Sequence, residues 1–155
     1  MLSEAKISFT KLKKNIFIFG IINCIFFIIL FLAFKYLNFK DITGLRVINY
    51  AALTLISLYQ IHRLIKQKKG YIPFLESFCL IFFTGTWAFM LFSAFIYIYS
   101  WCDPYLHELF IMDSNSQNKL VAAMLVFFEG SGGSIIIALI AMFYSGIYQD
   151  GEASI

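Results

Sequence analysis

The run IFIFGIINCIFFIILFLAF, Ile16 to Phe34, holds nineteen consecutive uncharged residues with one amide, Asn23. A hydrocarbon core of about 30 Å takes about 20 apolar residues of helix to cross. Inside lipid each backbone N–H and C=O must be paired within the segment, which a helix achieves. The run therefore predicts a transmembrane helix. Lys6, Lys11, Lys13 and Lys14 precede it and Lys35 follows. A basic stretch before an apolar one also opens a signal peptide, but this run exceeds the usual apolar region of about 7–15 residues and no A-x-A-like cleavage site follows. It reads as an uncleaved first span.

Outward from that run, the rest of the 155-residue chain has the same character, with 61% hydrophobic and 14% charged residues. Soluble domains carry roughly 45–50% apolar and about 25% charged residues, so a water-soluble globule is excluded. A second run, Val47 to Leu64, is interrupted by Asn49, Thr54, Ser57 and Gln60 and bounded by Arg46 and Arg63. It reads as a short span with a polar side turned to other helices, its basic ends reaching back to the interface and Tyr50 and Tyr59 at belt positions. The third run, Phe78 to Trp101, follows Gly70-Tyr71-Ile72-Pro73, and proline suits a first helical turn, where its missing N–H costs nothing. The fourth, Leu120 to Tyr148, has twenty-nine residues and as one helix would measure about 43 Å. Counting back about 20 residues from Tyr148 places the crossing at Glu129 to Tyr148 and leaves Lys119 to Phe128 as a short interfacial helix. The expectation is a single all-α membrane domain over residues 1–155: an integral membrane helix bundle with four transmembrane helices, near 16–34, 47–64, 78–101 and 129–148, and a short interfacial helix before the last.

Orientation follows from the distribution of basic residues, which cytoplasmic segments retain in excess. The N-terminal tail has four, and Arg63, Lys66, Lys68 and Lys69 between spans two and three add four, making eight on one side. Lys35, Lys40 and Arg46, with Lys119 before the last span, make four on the other. Both termini are expected in the cytoplasm. The segment from Cys102 to Asn118, with Asp103, Glu108 and Asp113, then lies outside. The basic patches serve as topology signals and contacts to anionic lipid, and no nucleic-acid surface is expected.

At Lys68-Lys69-Gly70-Tyr71-Ile72 followed by Phe74, and at Phe78 opening the third span, the chain resembles a bacterial four-span family catalogued as domain of unknown function 4199. The aromatic end of the third span running into Asp103-Pro104, and the glycine-containing stretch Gly130 to Ile137, match it in order and spacing. The family usually has a longer charged helical segment between spans three and four and a lysine-rich C-terminus. Here that segment is short and the tail, Asp150 to Ile155, is acidic. The resemblance implies a multi-pass protein of the bacterial inner membrane and supplies no activity or catalytic residues.

Among candidate functional residues Glu129 comes first, because an ionisable group within a span is costly. Two readings stand: a proton-coupling carboxylate among Phe127 and Phe128, or, by the count from Tyr148, an interfacial residue near a helix start, where a carboxylate is favoured. We take the second. Glu76, shortly after Pro73, reads as an interfacial first-turn residue. Gly130-Ser131-Gly132-Gly133-Ser134 lacks the lysine and preceding strand of a phosphate loop. Gly130, Ser134 and Ala138, continuing to Ala141 and Ser145, instead form a small-residue helix-packing stripe, with Ile137 turned to lipid. His107-Glu108 begins like H-E-x-x-H, but position 111 is Ile111, so no zinc site forms. Asn23, Thr54, Ser57 and Gln60 either line a polar path or hydrogen-bond between helices. Cys24, Cys79 and Cys102 contain no C-x-x-C pair, and no nucleophile motif is present. No cofactor, metal or catalytic residue is expected. The leading reading is a non-catalytic subunit or organiser of an envelope assembly, homo-oligomeric or with a heteromeric membrane partner. The alternative is a small ion-coupled transporter or channel using Glu129, with Glu76 as second carboxylate.

Overall fold

A computed structural model describes residues 2–37, 42–67, 73–103 and 119–152. They form four helices: α1 Leu2–Tyr36, α2 Ile42–Gln67, α3 Phe74–Cys102 and α4 Lys119–Glu152. Among the described residues three stretches, Leu12–Tyr36, Phe74–Cys102 and Lys119–Tyr144, are long and apolar enough to cross a membrane. The described residues are all helical, as in a helical membrane protein. The fourth helix, α2, is outside that set, because Asn49, Gln60, His62 and Arg63 dilute its apolar residues.

Helix α3 is the central element, packed along α1 on one side and α4 on the other, while α2 closes the ring against α1 and α4 and lies diagonally across from α3. An aromatic ladder joins α1 to α3. The Phe27 ring lies 4.9 Å from Phe89 and 5.8 Å from Phe92, and Phe31 meets Phe92, Phe95 and Tyr99 edge-on at 6.3, 6.1 and 5.9 Å. Residues 27 and 31 are one turn apart, so a single face of α1 supplies both rings. Each such pair adds about 0.5–1.5 kcal/mol beyond burial. That term matters in lipid, where helices gain nothing from hydrophobicity alone by associating.

The helix ends are tied to the same frame. Pro73 is the N-cap of α3, and its carbonyl accepts the N–H groups of Glu76 and Ser77 at 3.0 and 3.2 Å. At the other end the Asp103 N–H donates to the Tyr99 carbonyl at 3.1 Å. Lys35, in the last turn of α1, pairs with the Asp103 carboxylate and donates to the Tyr99 hydroxyl at 2.7 Å.

The last helix differs from expectation in one respect. It is continuous from Lys119 to Glu152, so Lys119 to Phe128 is its opening rather than a separate interfacial piece. Its start is level with the end of α3, since Lys119 Nζ sits 4.4 Å from the centre of the Trp101 ring. The glycines at 130, 132 and 133 do not break it. Interior glycine costs a helix only about 1 kcal/mol, and at Gly130 and Gly133 the missing side chain makes room for Phe89 and Tyr50.

Candidate functional site

Gly130, Ser134, Ala138 and Ala141 are buried on one face of α4. Ser134 fits against Gly85 of α3, where a side chain at 85 would collide with it. Ile137 is also buried, contrary to the lipid-facing position expected from the sequence. It lies seven residues after Gly130 and three after Ser134, spacings that return to the same helix face. The outward residues are Ile135, Ile136, Leu139 and Ile140.

Glu129 adjoins this stripe and meets α2. Arg46 Nε lies 3.5 Å from Glu129 Oε1, and the Tyr50 hydroxyl donates to the Glu129 carbonyl at 3.0 Å. Arg46 and Tyr50 are one turn apart, as are Glu129 and Gly133, so two helix faces meet squarely. The pair is on the flank of the bundle: the Arg46 and Glu129 side chains are 42% and 40% exposed. Glu129 follows Lys119 by ten residues, about 15 Å of helix. Its neighbour Gly130 faces Phe89, halfway along α3. The carboxylate therefore sits within a helix rather than near its start, and its charge is met by Arg46. Helix-to-helix register decided this, and span counting carries no information about register.

A second polar group fills the interior, one or two residues from each helix. Asn23, Ser57, Thr84 and Ser134 have no exposure and Gln60 has 3%. Gln60 Nε2 approaches Thr84 Oγ1 at 3.4 Å, and Ser134 is beside Gly85, the next residue of α3. Asn23 stands between Gly20, which abuts Trp87, and Phe27, whose ring is tilted 33° against Phe89. Gln60, Thr84 and Ser134 thus lie at one level, with Ser57 one turn before Gln60 on α2 and Asn23 one turn after Gly20 on α1. Asn23 Nδ2 donates to the Phe19 carbonyl at 3.0 Å, Thr84 Oγ1 to Leu80 at 2.6 Å and Ser134 Oγ to Gly130 at 2.8 Å. Among the described residues the oxygens of Asn23, Ser57 and Gln60 have no hydrogen-bond partner. Of these residues Asn23, Ser57 and Gln60 stand out in the sequence. Thr84 does not, because a threonine whose hydroxyl bonds its own helix is common in apolar spans; the signal that marks it is Ser77, two turns earlier on the same face and also buried. Thr54 belongs to the α2 surface, its hydroxyl donating to the Tyr50 carbonyl at 2.8 Å.

Glu76 occupies the first turn of α3, as expected. It lies with Lys13 at one end of an apolar groove of about 1050 Å³ between α1 and α3 that extends past Phe83 and Trp87 to Met90. Glu76 and Glu129 are on different faces and do not form one site. Cys24, Cys79 and Cys102 are free thiols, and among the described residues no group of His, Cys, Asp or Glu is placed to hold a metal ion. His107 and Glu108, and the 68–72 and Pro104 portions of the family resemblance, lie outside the described residues. Compared with known proteins, the chain matches no family model, no curated protein and no solved structure.

Proposed function

We propose that this chain is a four-span protein of the bacterial inner membrane, both termini cytoplasmic, and that it works as a non-catalytic subunit or organiser of an envelope assembly. The observation that carries this reading is the half-exposed Arg46–Glu129 pair on the flank between α2 and α4, about 15 Å along α4 from its start. Charged groups at membrane depth face a bundle interior, a wet cavity or another protein surface, because lipid does not solvate them. A flank carrying an ion pair, on the least apolar helix, calls for a covering helix from a second copy or a different subunit. The resemblance to the four-span family of unknown function supports the same reading of α2 as the fourth span.

Extraction of native membranes in mild detergent, after brief chemical cross-linking, tests it. The expected result is a complex larger than one chain that Glu129→Lys disperses, since a lysine there repels Arg46, while helical content is kept. A wild-type chain that cross-links to nothing and elutes as a monomer overturns it.

One observation favours the alternative, an ion-coupled transporter or channel: Glu129 is level with the middle of α3. Its test is a proton-driven flux in vesicles of the purified protein that Glu129→Gln abolishes without unfolding.

A further inference from the structure

The groove between α1 and α3 starts at the level where both apolar stretches start, Leu12 on one helix and Phe74 on the other. Lys13 and Glu76 line that end, one basic and one acidic. Beyond them the wall is almost entirely apolar, and Phe17, Phe83 and Met90 are exposed along it, so the groove opens sideways on the surface that faces lipid. At its deep end Thr86 Oγ1 and Trp87 Nε1 are buried and present no surface to an occupant. From Glu76 to Met90 is fourteen residues, about 21 Å of helix. One leaflet with its headgroups is half of a bilayer of about 40–45 Å. The groove therefore has the length of one lipid molecule and the same polarity profile, charged at one end and hydrocarbon for the rest.

We propose that this groove is a binding site for a zwitterionic phospholipid with a primary ammonium, that is, phosphatidylethanolamine. The two charges select the headgroup. An anionic lipid answers Lys13 but meets like charge at Glu76, whereas a zwitterionic one answers both, its phosphate at Lys13 and its ammonium at Glu76. A primary ammonium also keeps N–H donors for the carboxylate, which a trimethylated choline lacks. The apolar wall sets the other end. A ligand with a polar group deep in the groove would lose its hydrogen bonds to water and find none in exchange, while an alkyl chain loses nothing there. The inference goes beyond the assembly reading and holds within one chain, because it needs only that α1 and α3 lie in the bilayer.

The chain has two tryptophans, Trp87 and Trp101, and Trp87 lines the groove, so Trp101→Phe leaves one fluorescent reporter at the site. The full-length Trp101→Phe chain is reconstituted in phosphatidylcholine vesicles into which phosphatidylethanolamine, phosphatidylglycerol or phosphatidylcholine brominated on its acyl chains is titrated, and quenching of Trp87 gives a relative binding constant for each. The expected result is a preference of at least about threefold for phosphatidylethanolamine over the other two. Glu76→Gln should abolish the preference over phosphatidylcholine, and Ile136→Ala, on the outward face of α4, should retain it. Should the Gln variant fail to fold, the Trp101→Phe chain with Glu76 intact is titrated with brominated phosphatidylethanolamine methylated once, twice and three times on nitrogen, and quenching should fall sharply when the last N–H is lost. Equal quenching by all the lipids would mean ordinary boundary lipid, and strongest quenching by phosphatidylglycerol would mean attraction to the basic residues alone. Either result, or a preference that survives Glu76→Gln in a folded chain, overturns the proposal.

Discussion

Gly130 and Gly132 are two residues apart on α4 and have opposite surroundings. A methyl group at Gly130 would collide with the Phe89 ring, whereas at Gly132 no described residue lies within 4 Å. Overpacking a close helix contact costs about 1–3 kcal/mol, while replacing an open helical glycine by alanine gains about 0.5–1 kcal/mol. Gly130→Ala should therefore lower the thermal midpoint in detergent and Gly132→Ala should raise it slightly. Changes of the same sign at both would mean that the α3–α4 contact is not as described. The small-residue pattern was readable in the sequence because packing leaves a period. The placement of Ile137 was not, since an isoleucine suits both lipid and a helix interface. Glu129 was equally visible as a lone carboxylate in an apolar run, but its partner was hidden, because Arg46 is 83 residues away in the chain and only the register of α2 against α4 joins them.

At the level of elements, α1 and α3 were legible from length and apolar content, which report directly on the cost of putting a segment in lipid. Helix α2 is where that measure weakens, since Asn49, Ser57 and Gln60 are turned into the bundle, which a local hydropathy window does not see. The α1–α3 seam gives a sharper test than hydropathy does. Phe27 is fully buried between Phe89 and Phe92, while Phe26, the preceding residue of the same type, is 41% exposed. Phe27→Ala should cost about 3–5 kcal/mol, and Phe26→Ala should change stability by no more than about 0.5 kcal/mol. Steric trapping or denaturant titration in micelles would measure both. Similar losses would place the two rings in equivalent surroundings and contradict the ladder.

For the molecule as a whole, the positive-inside count of eight against four predicts a definite sidedness. Cys102 is exposed at the end of α3, which makes it a native probe. In intact cells an impermeant maleimide should label Cys102 in a variant lacking Cys24 and Cys79, and should leave Lys68→Cys unlabelled in a cysteine-free background. The reverse pattern would invert the orientation. The order of helices around the bundle has a further consequence for biogenesis. Because α2 lies diagonally opposite α3, the chain divides into two antiparallel hairpins, α1 with α2 and α3 with α4, and the step from α2 to α3 is between diagonal rather than adjacent helices. With α2 as a span, as proposed, each hairpin enters the bilayer as its own unit, and the α1–α3 ladder then docks the two. Co-expressed fragments 1–67 and 73–155 should on that account find each other and co-purify. Fragments that accumulate separately would mean that the intact link guides assembly.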